Sequence, residues 1–234
     1  MISLGSVKSL AANINANAPF SLNDVRWLIL VRHGETDCNV SGRIAGQMPY
    51  PYGARLTANG RRSAKKARAQ IRLIQQAVGI QFVTVSTVER AVETLQLCTN
   101  GLILPDAIEL DGLRERGMGG CVLLPKSGFP ELFSDPDAVP PHTGAVNDNK
   151  PEAFRVFVRR VEDCFNDEIA PLLREGNTML VSHQYVTAAI EKLVYGWTVR
   201  ETMSYGHKIP NSAPLILGLN PDTLKPVMGG LCRL

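Results

Sequence analysis

A chain of 234 residues, 44% hydrophobic and 20% charged, has the composition of an ordinary globular protein, and its length fits one large domain. Twenty-five basic residues against 22 acidic ones leave a formal charge of only +3, too little to argue for nucleic-acid binding. No apolar run approaches the roughly 20 residues of a membrane span.

Residues 1–26, rich in Ala, Asn and Ser, read as a flexible N-terminal extension. They lack the compact apolar core of a secretory signal, while their scarcity of acidic residues leaves an organelle-targeting segment open. Trp27-Leu28-Ile29-Leu30-Val31 is a continuous apolar run that stops at Arg32-His33-Gly34, as a buried parallel strand does before a loop. Ala64, Ala67, Ile71, Ile74 and Val78 repeat at three- and four-residue steps and predict a helix ending at Gly79. Arg61, Lys65, Arg68 and Arg72 fall on its opposite face, a spacing that a solvated surface explains without nucleic acid. Gln81 to Ser86 predicts a second strand, and Val88 to Cys98 another helix.

The stretch from Gly117 to Lys150 breaks this alternation. It carries Pro125, Pro130, Pro136, Pro140 and Pro141 with no sustained period, which marks a binding loop or lid, or else a disordered insertion. Pro151 is expected to open a long helix whose Phe154, Phe157, Val161, Phe165, Ile169 and Leu172 share one stripe. Thr178 to Ser182 reads as a third strand, Val186 to Val194 as a helix and Pro214 to Leu219 as a fourth strand. Strands alternating with helices predict one three-layer α/β/α domain over residues 27–234, with a mostly parallel central sheet and residues 117–150 as a mobile lid. Cys38, Cys98, Cys121, Cys164 and Cys232 are odd in number and form no CxxC pair. They indicate neither a disulfide framework nor a zinc site, and fit a reducing, cytoplasmic compartment.

Arg32 and His33 follow the first strand, and His183 follows the third. In open α/β sheets ligands bind beyond the carboxyl ends of strands, so two histidines and an arginine there make an anion pocket suited to phosphate. On position alone, the reading of both histidines as satisfied structural residues stays open.

The segment Leu30-Val31-Arg32-His33-Gly34-Glu35-Thr36, followed by Asn39 and Gly46, resembles the histidine phosphatase superfamily, particularly its phosphoglycerate mutase-like branch. Leu56-Thr57 with Gly60, Ser86-Thr87-Val88-Glu89-Arg90-Ala91 with Thr94, Leu113-Arg114-Glu115-Arg116, Val181-Ser182-His183 and Ile209-Pro210-Asn211-Ser212-Ala213-Pro214-Leu215 resemble its later landmarks, in order. The resemblance implies His33 as the nucleophile that becomes a phosphohistidine, kept neutral by the flanking guanidinium charges. It implies Arg32 and Arg90 as a bidentate clamp on the phosphoryl oxygens, His183 as a further donor and Glu115 as general acid and then base. Asn39 and the Gly46 N–H are further phosphate ligands in this reading, Arg116 holds a remote substrate anion, and no metal is required.

The chain also departs from the family pattern. Gln47 to Arg55 stands where the family has a shorter stretch with Trp and Asp. Gln184 and Tyr185 follow His183 in place of Gly, and Lys126 is the only base between Gly117 and Lys150. The resemblance therefore implies a phosphatase of small phosphorylated metabolites first. A 2,3-bisphosphoglycerate-dependent phosphoglycerate mutase comes second, with 2,3-bisphosphoglycerate as cofactor, and a non-catalytic binding protein on the same scaffold third. Oligomeric state is not indicated.

Overall fold

Strand β1 (Arg26–Arg32) starts one residue before its apolar run, and Val25 ahead of it is already in the core at 2% exposure. The fold thus claims the last two residues of the expected extension. The structure, a computed structural model, describes residues 25–48, 54–142, 150–205 and 210–233; the rest of the extension and the far end of the proposed lid lie outside these.

Among the described residues one sheet holds β1, β2 (Phe82–Ser86), β3 (Ala107–Leu110), β4 (Thr178–Ser182), β5 (Pro214–Leu219) and β6 (Pro226–Arg233), in the order β3-β2-β4-β1-β5-β6. The pairs β1·β4, β2·β4 and β2·β3 are parallel, whereas β5 is antiparallel to both β1 and β6. The central strands are apolar throughout because both faces are covered, and period two divides their side chains between the faces. Leu28, Leu30, Leu180, Leu215 and Leu217 pack on one side, with Phe154, Phe157, Val161, Val186 and Ile190. Trp27, Ile29, Val31, Val83, Val85, Met179 and Val181 pack on the other, with Ala67, Ile71, Ile74, Ala91 and Leu95. The expected three layers and mostly parallel sheet are present.

The helices are α1 (Asp37–Ser41), α2 (Ala58–Val78), α3 (Glu89–Thr99), α4 (Phe154–Cys164), α5 (Ala170–Glu175), α6 (Gln184–Tyr195) and α7 (Val199–Tyr205). Pro151 does not open α4, which begins at Phe154 after Ala153 as N-cap. The stripe running from Phe154 holds through Ile169 and shifts at its last position, because a π-helical turn, Phe165–Ile169, joins α4 to α5. Pro171 cannot donate a hydrogen bond to the carbonyl four residues back, and a wider turn relieves that conflict. Four-residue steps therefore stay on the core face through Val161, Phe165, Ile169 and Leu173, leaving the expected Leu172 only partly covered.

The described part of the 117–150 segment is a packed cap. Short 3-10 turns at Gly119–Cys121, Lys126–Gly128 and Pro130–Phe133 suit its prolines. Ile44, Met118, Cys121 and Leu132 give it a small core of its own. Backbone bonds from Ile44 N to Leu124 O (3.0 Å), Leu123 N to Ile44 O (2.8 Å) and Lys126 N to Gly42 O (3.0 Å) dock it on the loop after α1.

Candidate active site

The sheet order places the chemistry. In the parallel register Arg32 pairs with Ser182 and Val85 with Val181, so the residues after β1, β4 and β2 emerge side by side at the carboxyl edge. His33 N donates to Ser182 O at 2.8 Å, and the His33 and His183 rings lie 5.3 Å apart between centroids. The close approach of this loop to the start of α2 needs Gly34: a Cβ there would sit 2.8 Å from Gly60 O.

The carbonyl beside His33 fixes its tautomer, and His183 faces a hydroxyl. His33 Nδ1 lies 2.7 Å from Gly34 O; a carbonyl only accepts, so Nδ1 carries the proton and Nε2 keeps its lone pair. Ser86 Oγ accepts from Val88 N at 3.3 Å and lies 2.8 Å from His183 Nε2, the donor of that pair being set by the tautomer of the ring. With Ser86 donating, the His183 proton sits on Nδ1, a buried atom with no hydrogen-bond partner among the described residues. Both rings are held neutral, with pKa values well below the usual histidine range. Burial is the main cause, at 3% and 0% exposure, and the charges of Arg90 and Arg32 add to it. Desolvation thus outweighs the guanidinium charges that the sequence reading put first.

Arg32, His33, Asn39, Gly46, Arg90, Glu115 and Arg116 line one pocket; His183 is not among its lining residues and packs against His33 edge to face. Arg90, in the first turn of α3, is 1% exposed and donates from Nη2 to Gly46 O at 2.8 Å. Thr94 Oγ1, one turn on, donates to Arg90 O at 2.7 Å and accepts from Gly34 N at 2.9 Å, tying α3 to the histidine loop. Burial lowers Arg32 to about 10, which leaves it charged at neutral pH. Asn39 Oδ1 accepts from Thr36 N at 3.1 Å in a capping box, so its amide N–H groups are what it can offer a ligand. The first turn of α6 follows His183, and its N–H groups add partial positive charge at the same edge.

Arg116 lines the pocket and also holds the cap. It is 2% exposed, and its guanidinium grips Glu152 O (2.7 Å), Leu132 O (2.5 Å) and Ala138 O (2.7 Å). It fastens the cap at the edge of the pocket through three of its five N–H donors. Glu35 accepts from Thr57 Oγ1 at 2.7 Å. Burial, with Asp37 beside it, pushes the Cys38 thiol up to about 11, so it stays a packed thiol.

Several residues here were not assigned from sequence. Ser86 and Thr94 belonged to a quoted segment without a role. Asn211 Nδ2 donates to His33 O at 2.8 Å, and Ser212, in the left-handed region at φ 61°, donates from N to Arg32 O at 2.9 Å. Tyr185, Met118, Phe133, Ile44 and Arg43 line the outer pocket, as does Lys126. Desolvation and the nearby Glu115 raise the Tyr185 phenol well above its usual value, so it remains a donor. Among the described residues no group of three or more His, Cys, Asp or Glu side chains is placed to hold a metal.

A family model, the histidine phosphatase superfamily (branch 1), matches residues 28–226. A curated 2,3-bisphosphoglycerate-dependent phosphoglycerate mutase of Actinobacillus pleuropneumoniae serotype 5b is 26% identical over 223 residues, 82% of this chain and 94% of that protein. One of the same name from Erythrobacter litoralis is 26% identical over 226 residues, 85% of this chain and 95% of that protein. Among solved structures, a putative alpha-ribazole-5'-P phosphatase of Escherichia coli superposes with a TM-score of 0.67 at 23% identity, covering 88% of this chain and 99% of that one. A mycobacterial glucosyl-3-phosphoglycerate phosphatase also gives 0.67, at 19% identity, covering 86% and 95%.

Proposed function

The chain belongs to the histidine phosphatase superfamily, a family of enzymes, and on that premise we propose that it is a metal-independent phosphatase of small phosphorylated metabolites working through a phosphohistidine on His33. The observation that carries the reading is the His33 ring, neutral and with Nδ1 donating to Gly34 O, which leaves Nε2 as a nucleophile beside Arg32 and Arg90. His33 Nε2 attacks phosphorus, the bond to the ester oxygen breaks, and Glu115 gives that oxygen its proton. Water then attacks the phosphohistidine, Glu115 takes the water's proton, and the N–P bond breaks to restore Nε2. Arg32, Arg90 and His183 Nδ1–H neutralise the equatorial oxygens through both steps, with Asn39 and the Gly46 N–H as further ligands.

The mixed lining of the outer pocket supports an ester with an apolar part over a phosphoglycerate: Met118, Phe133, Ile44 and Tyr185 stand there beside Arg43 and Lys126, and three of the Arg116 N–H groups are taken by the cap. The curated relatives named as mutases favour the second reading, a phosphoglycerate mutase in which 2,3-bisphosphoglycerate supplies the phosphoryl group that primes His33.

The deciding experiment is a phosphate-release panel run beside a 3- to 2-phosphoglycerate interconversion assay, with and without bisphosphoglycerate. Phosphate release without bisphosphoglycerate is the expected result; efficient interconversion with negligible release overturns the phosphatase. Activity is expected to be unchanged in EDTA, and loss restored by a divalent ion would refute the metal-independent clamp.

A further inference from the structure

Glu115 sits on no regular element. It follows a 3-10 turn at Asp111–Leu113 and an extended Arg114, in a stretch of backbone that cannot satisfy its own carbonyls. Arg160, on α4, satisfies them. Its Nη1 donates to Gly112 O at 2.9 Å and Arg114 O at 3.1 Å, and its Nη2 donates to Glu115 O at 3.3 Å. The same guanidinium is held by Glu152, from Nε to Oε1 at 2.8 Å and from Nη2 to Oε2 at 2.9 Å.

Glu152 closes the other end. Its Oε2 accepts from Gly117 N at 2.7 Å, and its own N donates to Gly117 O at 2.9 Å. That approach is so close that a Cβ on Gly117 would lie 1.9 Å from Lys150 O. Gln47 Nε2 adds a further bond to Glu115 O at 2.5 Å. The ion pair thus brackets Glu115 between three carbonyls on one side and both polar groups of Gly117 on the other.

We infer that Arg160, locked by Glu152, is a positioning residue for Glu115, setting the main chain from which that carboxylate reaches the leaving oxygen. The inference rests on the acid/base reading of Glu115 above. Only a planar fork can serve three carbonyls and a carboxylate at once; a lysine ammonium has three donors on a flexible stem. A carboxylate displaced by about 1 Å loses on the order of 100-fold in proton transfer, while a nucleophile on the loop after β1 is untouched.

This separates positioning from mere scaffolding, because dependence on a general acid grows with the basicity of the leaving group. The full chain and its Arg160→Gln, Arg160→Lys, Glu152→Gln and Glu115→Gln variants are compared by kcat/KM, which reports formation of the phosphoenzyme. The substrates are p-nitrophenyl phosphate, phenyl phosphate and β-glycerol phosphate. Arg160→Gln and Glu152→Gln are expected to lose roughly 10- to 100-fold on the glycerol ester but less than about 3-fold on the nitrophenyl ester. Arg160→Lys, which keeps the charge and is the milder test should the glutamine variant not fold, is expected to fall between these and the wild type. Equal losses on all three esters, or none, with Glu115→Gln alone steepening the dependence, overturn the positioning role. If Glu115→Gln itself shows no dependence on the leaving group, the acid/base reading fails first and the inference falls with it.

Discussion

The hydroxyl of Ser86 has one orientation in which it both accepts from Val88 N and donates to His183 Nε2, and in that orientation His183 can only present Nδ1–H to a bound phosphoryl group. Ser86→Ala removes this constraint, so a ring with the wrong tautomer can meet an anion with a lone pair. We expect kcat to fall by roughly 10- to 100-fold, with KM changing less, in steady-state assays on p-nitrophenyl phosphate. His33→Ala removes the nucleophile itself and is expected to abolish turnover. Rapid-quench labelling of the parent enzyme should show an acid-labile, base-stable phosphoryl adduct that the variant lacks; full activity in the variant would refute the covalent step. At this scale the sequence exposed the groups standing next to strand ends: Arg32, His33 and His183. It did not expose the residues that aim them, because their contacts span large separations. Ser86 to His183 crosses 97 residues, Gly34 to Thr94 crosses 60, and Asn211 to His33 crosses 178. The hold of Arg116 on the cap was hidden for the same reason, since its three carbonyl partners lie 16, 22 and 36 residues away.

The cap over residues 117–142 is an element with its own small core, and Leu132 is its anchor at 2% exposure, against Ile44, Met118 and Cys121. Leu132→Ala should cost about 2–4 kcal/mol locally and loosen the wall carrying Phe133 and Met118. The expected outcome is a changed ranking across a panel of phosphate esters, with reaction at a small aryl phosphate retained; an unchanged ranking would mean that the cap does not shape selection. Long apolar strands and the Ala/Ile stripe of α2 were readable because burial on two faces, or on one, leaves a period in the sequence. Strand β3 was not: Ala107, Ile108 and Glu109 are exposed at the sheet edge, so no burial pattern marks them. Strand β6 carries Gly229 and Gly230 in its middle, a composition that reads as a turn. The five residues of α1 are too few to show a helical period, and the π turn after α4 moves the stripe by one position where Pro171 interrupts the bonding.

For the molecule as a whole, two buried neutral histidines link stability to pH. Each has a folded-state pKa well below its unfolded value of about 6.5, so the unfolded chain binds more protons as pH falls. The stability is fully present above about pH 6.5 and is lost as pH falls from there toward the folded-state values, at up to about 1.4 kcal/mol per pH unit for each ring. Thermal melts between pH 7 and 5 should show this fall, and His183→Asn should flatten it; identical pH slopes would refute the linkage. The sheet order carries a further consequence, for synthesis. Strands β1 and β2 leave the ribosome early but are not neighbours; the slot between them belongs to β4, which ends at Ser182. Until that strand emerges, two apolar strands have each other as the wrong partner, and Asn211 and Ser212 have yet to close on the loop they hold. A nascent chain released before residue 212 therefore has its nucleophile but neither a finished sheet nor an anchored loop. It is expected to be inert, with an open slot that a neighbouring chain can fill.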